Sequence, residues 1–172
     1  MKRRDFLKTG VIGITVPSVI FGDSNINTNK NNPIILSTWN HGLPANDAAW
    51  KVLENDGSAM DAAEAGARVA EADPTITSVG FGGLPDEQGN VTLDACVMDS
   101  SGNAGSVAFL QNIKHPVSVA RKVMEDTKHV MLVGEGARQF AVSQGFEEMD
   151  LLTVESRQSW EEWEKNRKKL KF

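Results

Sequence analysis

The chain has 172 residues, a formal net charge of −5, 40% hydrophobic and 24% charged residues, enough for one ordinary domain with its own core. That apolar share excludes a wholly disordered chain, and 15 Gly with 6 Pro are too few for a fibrous one. A single cysteine, Cys96, excludes an intrachain disulfide and any multi-cysteine metal site. The charge is unevenly spread: residues 1–30 carry +3, residues 164–172 carry +4 and residues 31–163 carry −12. An acidic body lacks the cations that neutralise a phosphate backbone, so no nucleic-acid partner is expected.

In chain order, Lys2-Arg3-Arg4-Asp5-Phe6-Leu7-Lys8 and the apolar run over 11–21 resemble a bacterial twin-arginine export signal. The apolar run is too short to span a bilayer. A chance basic and apolar start, or an uncleaved anchor, is the alternative. A cut is placed near residues 22–24, and the Asn-rich stretch to Asn32 reads as a flexible leader. Residues 1–30 are therefore set apart as signal and leader, with export to the periplasm or exterior and no stable membrane association afterwards. A free thiol in an oxidising compartment is safest buried, and Cys96 is expected to face inward from a strand.

Residues 33–39, Pro-Ile-Ile-Leu-Ser-Thr-Trp, have the length and composition of a strand that ends in polar residues and Gly42. Asn46 or Asp47 can cap a helix through Ala49, Trp50 and Leu53 that stops at Gly57. Ser58 and Asp61 fit a capping box that opens a second helix to about Ala72, where Asp73-Pro74 ends it. Ala62, Ala63, Gly66, Val69 and Ala70 on its face would let that helix approach a sheet closely. After a turn-rich stretch over 78–90, residues 91–98 and 104–110 read as two strands of a hairpin turning at Asp99-Ser100-Ser101-Gly102. Pro116 suits the first turn of a helix through Val119, Val123 and Met124. Residues 129–133 are strand-like, and residues 135–144 form a helix stopped by Gly145. Residues 156–172 are strongly charged and hold Trp160 and Trp163, so they read as a surface helix or a linker. This order predicts an α/β (α+β) domain over 31–155, with an antiparallel component and helices covering one side of a sheet.

Spacing alone names no reaction. Gly80, Gly82 and Gly83 are followed by an acidic turn and a strand, not by the helix a dinucleotide fingerprint requires, so they read as a tight turn. His41, His115 and His129 share no metal-ligand spacing and read as structural or surface residues. No metal or cofactor is expected. Asp61 and Glu64 read as first-turn charges that offset a helix dipole. Cys96 lacks an electropositive setting for a nucleophile. No Gly-x-Ser-x-Gly elbow occurs.

Several segments together resemble one family. Pro33-Ile34-Ile35-Leu36-Ser37-Thr38-Trp39-Asn40 is similar to the first strand of the glycosylasparaginases, the N4-(β-N-acetylglucosaminyl)-L-asparaginases. Ala48-Ala49-Trp50 and Gly57-Ser58-Ala59-Met60-Asp61-Ala62 resemble the helices that follow it there. Ser78-Val79-Gly80-Phe81-Gly82-Gly83 with Pro85-Asp86, then Thr92-Leu93-Asp94-Ala95 and Met98-Asp99, resemble the family's central signature. The likeness continues through Ala120-Arg121-Lys122-Val123 and His129-Val130-Met131-Leu132-Val133-Gly134-Glu135 and is collinear from about Pro33 to Ser156. It implies half of a four-layer α-β-β-α sandwich of the N-terminal-nucleophile hydrolases. Such proteins are made as one precursor that cleaves itself before a threonine, and the freed threonine attacks the side-chain amide of a glycosylated asparagine.

The family's threonine follows an aspartate within a His/Asn-Asp-Thr-Ile/Val-Gly setting, and no position here fits that setting. Asp126-Thr127 is followed by Lys128-His129, and the last threonine, Thr153, follows Leu152. No catalytic residue is therefore assigned to this chain. The resemblance carries over one substrate-lining position, Trp39, whose other reading is a core aromatic at a strand end. It implies the β-chain half of the same precursor as partner, a glycosylated asparagine as substrate and an (αβ)2 assembly when complete. It also implies that the basic ending is an interrupted linker. An isoaspartyl peptidase or plant-type asparaginase half, and a non-catalytic binding domain, are the alternatives.

Overall fold

The structure is a computed structural model that describes residues 32–169; the expected export signal and the last three residues lie outside them. Its centre is a three-stranded sheet of order β1-β2-β3. Strands β1 (Leu93–Met98) and β2 (Ala104–Leu110) form the expected antiparallel hairpin. Asp99 shapes the turn, its Oδ1 accepting from the backbone N–H groups of Ser101 at 2.8 Å and Asn103 at 2.9 Å. A bulge interrupts the register between Leu93 and Ala95. Phe109 takes a left-handed φ of 53° there, and its N–H is satisfied by Asp94 Oδ1 at 2.8 Å.

From β2 the chain crosses over through helix α3 (Pro116–Asp126) to strand β3 (Met131–Val133), which pairs parallel to β2. Helix α4 (Gly134–Ser143) follows directly. Val107, Leu110, Ile113, Val119, Ala120, Val123, Ala137 and Ala141 form the main core between the sheet and these two helices. Gly105 sets the closeness of that packing, because a Cβ on it would lie 2.2 Å from the Ala120 carbonyl oxygen.

The other helices form a pair, α1 (Gly42–Glu54) and α2 (Ala59–Ala72). The capping box is present: Asp61 N–H donates to Ser58 Oγ at 3.1 Å, and Ser58 N–H donates to Asp61 Oδ2 at 3.0 Å. Helix α1 starts at Gly42, before the expected Asn46 or Asp47 cap, and His41 at its N-cap makes no side-chain cap. The preceding turn does the capping with backbone: Gly42 N–H donates to the Trp39 carbonyl at 2.8 Å and Leu43 N–H to the Asn40 carbonyl at 3.3 Å. The small face of α2 was expected to meet a sheet; its close approach is instead to α1, where a Cβ on Gly66 would sit 2.9 Å from the Ala45 carbonyl oxygen.

Residues 154–169 resolve the helix-or-linker alternative as helix α5 (Val154–Lys169). Ser156 N–H is capped by Thr153 Oγ1 at 3.2 Å, and Ser156 Oγ donates to the Gly82 carbonyl. Trp160 packs on Gly89, and Arg167 pairs with Glu87 and lies over the Trp163 ring. Leu151, at the entry to this helix, is buried with Val91 and Leu93 in a second small cluster.

Two expectations are corrected. Residues 33–39 form no strand: among the described residues no second segment pairs with their backbone, and the bond from Gly42 N–H to the Trp39 carbonyl only closes the turn into α1. Cys96 is exposed rather than buried. Its neighbours Ala95 and Val97 pack on the core, so alternation sends Cys96 and Met98 to the opposite face of the sheet. Met131 and Val133 are exposed as well. Helices α3 and α4 cover one face of the sheet in an α+β arrangement, consistent with part of a layered sandwich.

Candidate functional site

Trp39 stands at the end of the extended segment, in the turn that opens α1, and is 64% exposed. Its ring centroid lies 5.6 Å from that of His41 with the planes at 39°. Together they wall one side of an open cavity of about 440 Å3, whose opposite side is the 73–78 turn with Asp73, Thr75, Thr77 and Ser78. Asn40, Pro44 and Ile76 complete it. An indole beside a set of hydroxyl, amide and carboxylate groups suits a polar ligand with an apolar face.

The hydroxyl-bearing turn is held by local bonds. Asp73 Oδ1 accepts from Thr75 N–H at 2.9 Å and from Thr75 Oγ1 at 2.7 Å, which keeps its carboxyl below the usual range. Behind it, Gly80 and Gly82 take φ of 67° and 85°. Three N–H groups of this turn are used internally: Phe81 donates to the Glu71 carbonyl, Gly82 to that of Leu151 and Gly83 to that of Gly80. No helix follows, so the turn offers no cradle for a phosphate and the tight-turn reading holds.

The other polar groups build structure. Glu71 is buried and accepts from Val117 N–H at 3.0 Å, and its second oxygen lies 3.1 Å from His115 Nδ1. Asp61 and Glu64, expected as simple first-turn charges, also tie α2 to α3 through Arg121 Nη1 at 2.7 and 2.8 Å. Hydrogen bonds from Ser58 and then Arg121 hold the Asp61 carboxyl down to about 2. Burial pushes Glu64 up, but bonds from Ser118 and Arg121 outweigh it and leave its carboxyl lowered. Ser118 donates to Glu64 and accepts from Arg68, yet at 5% exposure no substrate reaches it. Among the described residues no three His, Cys, Asp or Glu side chains are grouped to hold a metal ion.

Trp39 is thus the one sequence-derived site residue, and it lies on a cavity. The polar wall opposite it was missed. Thr75, Thr77 and Ser78 stand in an irregular turn, where no periodicity marks which side chains point together.

With this geometry in view, comparison with known proteins defines the class. The family model described as asparaginase matches residues 19–171, and the chain belongs to that family. It is 53% identical over 169 residues to the N(4)-(beta-N-acetylglucosaminyl)-L-asparaginase of Elizabethkingia miricola, covering 94% of this chain and 49% of that one. Rat and mouse proteins of the same name are 46% and 45% identical over 132 residues, covering 76% of this chain and 38% of each of theirs. The chain spans about half the length, or less, of these relatives.

Proposed function

We propose that this chain is the α-chain part of a glycosylasparaginase. Joined to a threonine-led second half, it hydrolyses the amide between N-acetylglucosamine and asparagine to aspartate and a glycosylamine. The observation that carries this proposal is the 53% identity over 94% of the chain to a bacterial protein of that name, of which it spans 49%. Trp39 on an open polar cavity supports it at the level of the site.

The division of labour follows from the family resemblance, because no threonine of this chain stands in an Asp-Thr-Ile/Val-Gly setting. Thr127 Oγ1 donates to the Val123 carbonyl at 2.7 Å, and Thr153 Oγ1 caps α5, so both serve local structure. The nucleophile is assigned to the second half. There the threonine hydroxyl attacks the side-chain amide carbon, its α-amine takes the proton, the C–N bond breaks and the amine leaves protonated. Water then releases aspartate from the ester. The role of this chain is to present the Trp39 wall against the sugar-bearing side of the substrate. Self-cleavage of a common precursor, twin-arginine export of the folded product and an (αβ)2 assembly belong to the same proposal.

The test is kinetic. With the second half supplied, kcat/KM for N-acetylglucosaminyl-asparagine should exceed that for free asparagine and for a β-aspartyl dipeptide by about tenfold or more, a difference of about 1.4 kcal/mol. The opposite order would move the chain to the isoaspartyl or plant-type branch. Trp39→Ala should lower kcat/KM for the glycosylated substrate by about tenfold and leave free asparagine much less affected.

A further inference from the structure

Among the described residues Glu71 is the one buried carboxylate, 4% exposed, and the reaction proposed above makes no use of it. Its main chain and its side chain hold different things. The main-chain carbonyl accepts from Phe81 N–H at 2.8 Å, which closes residues 72–80 into a loop with a narrow neck. Gly80 lets the neck close, since a Cβ on it would lie 2.4 Å from Glu71 Cα. The side chain reaches the other way, to the start of α3. One oxygen accepts from Val117 N–H at 3.0 Å, and the other lies 3.1 Å from His115 Nδ1. Within the loop, Thr75, Thr77 and Ser78 are exposed and form the cavity wall opposite Trp39.

We propose that Glu71 is a positioning residue for substrate binding: fastened to α3, it sets where the 73–78 wall stands against Trp39. This rests on the reading given under the proposed function. Exposed side chains in an irregular loop have little packing of their own to hold them. Asp73 shapes the loop from within through Thr75, but that bond does not place it against the rest of the fold. Helix α3 is a rigid reference, because Val119, Ala120 and Val123 lie in the main core. A desolvated carboxylate with two partners is fixed in one rotamer, and its own carbonyl passes that position to the loop neck. Without the side-chain anchor the wall would sample a range of distances from Trp39, and the substrate would be bound less tightly. The nucleophile assigned to the second half is untouched, so the loss falls on KM and leaves kcat in place.

Steady-state kinetics on N-acetylglucosaminyl-asparagine, with the threonine-led half supplied, test this, beside methyl NMR of Ile76 in this chain as a readout free of activity. Glu71→Ala should raise KM by about tenfold with kcat within about twofold, and should shift or broaden the Ile76 methyl resonance. Glu71→Gln keeps an acceptor for Val117 N–H, so it should return KM to within about threefold of the parent and restore the resonance. His115→Ala removes one of the two partners and should raise KM by about threefold. Unchanged exchange protection of β2 amides shows that a variant still folds; where Glu71→Ala does not, His115→Ala carries the test in both readouts. An unchanged KM in the folded variants overturns the positioning role. A fall in kcat at unchanged KM also overturns it, because that is the mark of a smaller active fraction. If the parent pair does not hydrolyse the glycosylated substrate, the enzymatic reading fails and the Ile76 resonance decides: moved by Glu71→Ala and restored by Glu71→Gln, it supports Glu71 as the anchor of the wall; unmoved, it overturns that as well.

Discussion

Glu71 does for α3 what its own N-cap residue does not. His115 makes no side-chain cap, and Pro116 removes one of the donors that would need it. The carboxylate arrives from α2 to accept the Val117 N–H, where a helix N-terminus favours negative charge. Glu71→Ala should therefore cost about 1–3 kcal/mol in urea unfolding, because buried donors lose their acceptor. Glu71→Gln, which keeps one acceptor oxygen, should cost less. Asp61 carries a pH signature. Its folded carboxyl sits at about 2 against 3.8, so the native state binds fewer protons and the stabilisation is full above about pH 4 and lost as pH falls through about 2. Discounted for exposure, it is worth about 1 kcal/mol. Asp61→Asn should lower stability by that amount at about pH 6 and by almost nothing near pH 2. Cys96 should react readily with a thiol reagent in the chain alone, and a silent Cys96 there would contradict its exposure.

Elements were legible where local chemistry decides them. The Ser58–Asp61 box, the turn at Asp99 and Pro116 at a first turn mark ends that the structure reproduces. The start of α1 was hidden, because backbone carbonyls of Trp39 and Asn40 cap it and no side chain signals that. The strand at 33–39 has every local mark of a strand, but a strand is a property of two segments. The burial of Cys96 failed for a related reason: an apolar strand has two faces, and only one is covered by these helices. Gly80 joins elements that are distant in sequence. It needs φ of 67°, and a Cβ there would lie 2.1 Å from the Glu71 carbonyl oxygen. Gly80→Ala should destabilise by about 1–3 kcal/mol in thermal or urea unfolding. It should also move the 73–78 wall away from Trp39; a variant as stable as the parent would contradict the tight turn.

At the scale of the whole molecule, two apolar surfaces stand uncovered among the described residues. One is the segment with Ile34 and Leu36; the other is the sheet face with Cys96, Met98, Met131 and Val133. Full burial of one such side chain is worth about 1.5–3 kcal/mol, so both surfaces favour association with a complementary partner. The half-enzyme reading accounts for both at once, since a second half supplies apolar surface to cover them. The residues of the site divide the same way, since Trp39 was read from a collinear resemblance while its polar opposite wall depends on how an irregular turn folds. The most direct measurement is hydrolysis of N-acetylglucosaminyl-asparagine by this chain, by a threonine-led second half and by the two together. Turnover from the pair alone, abolished when the leading threonine is replaced by alanine, is the expected result. Turnover by this chain unaided, or none from a stably assembled pair, would contradict it.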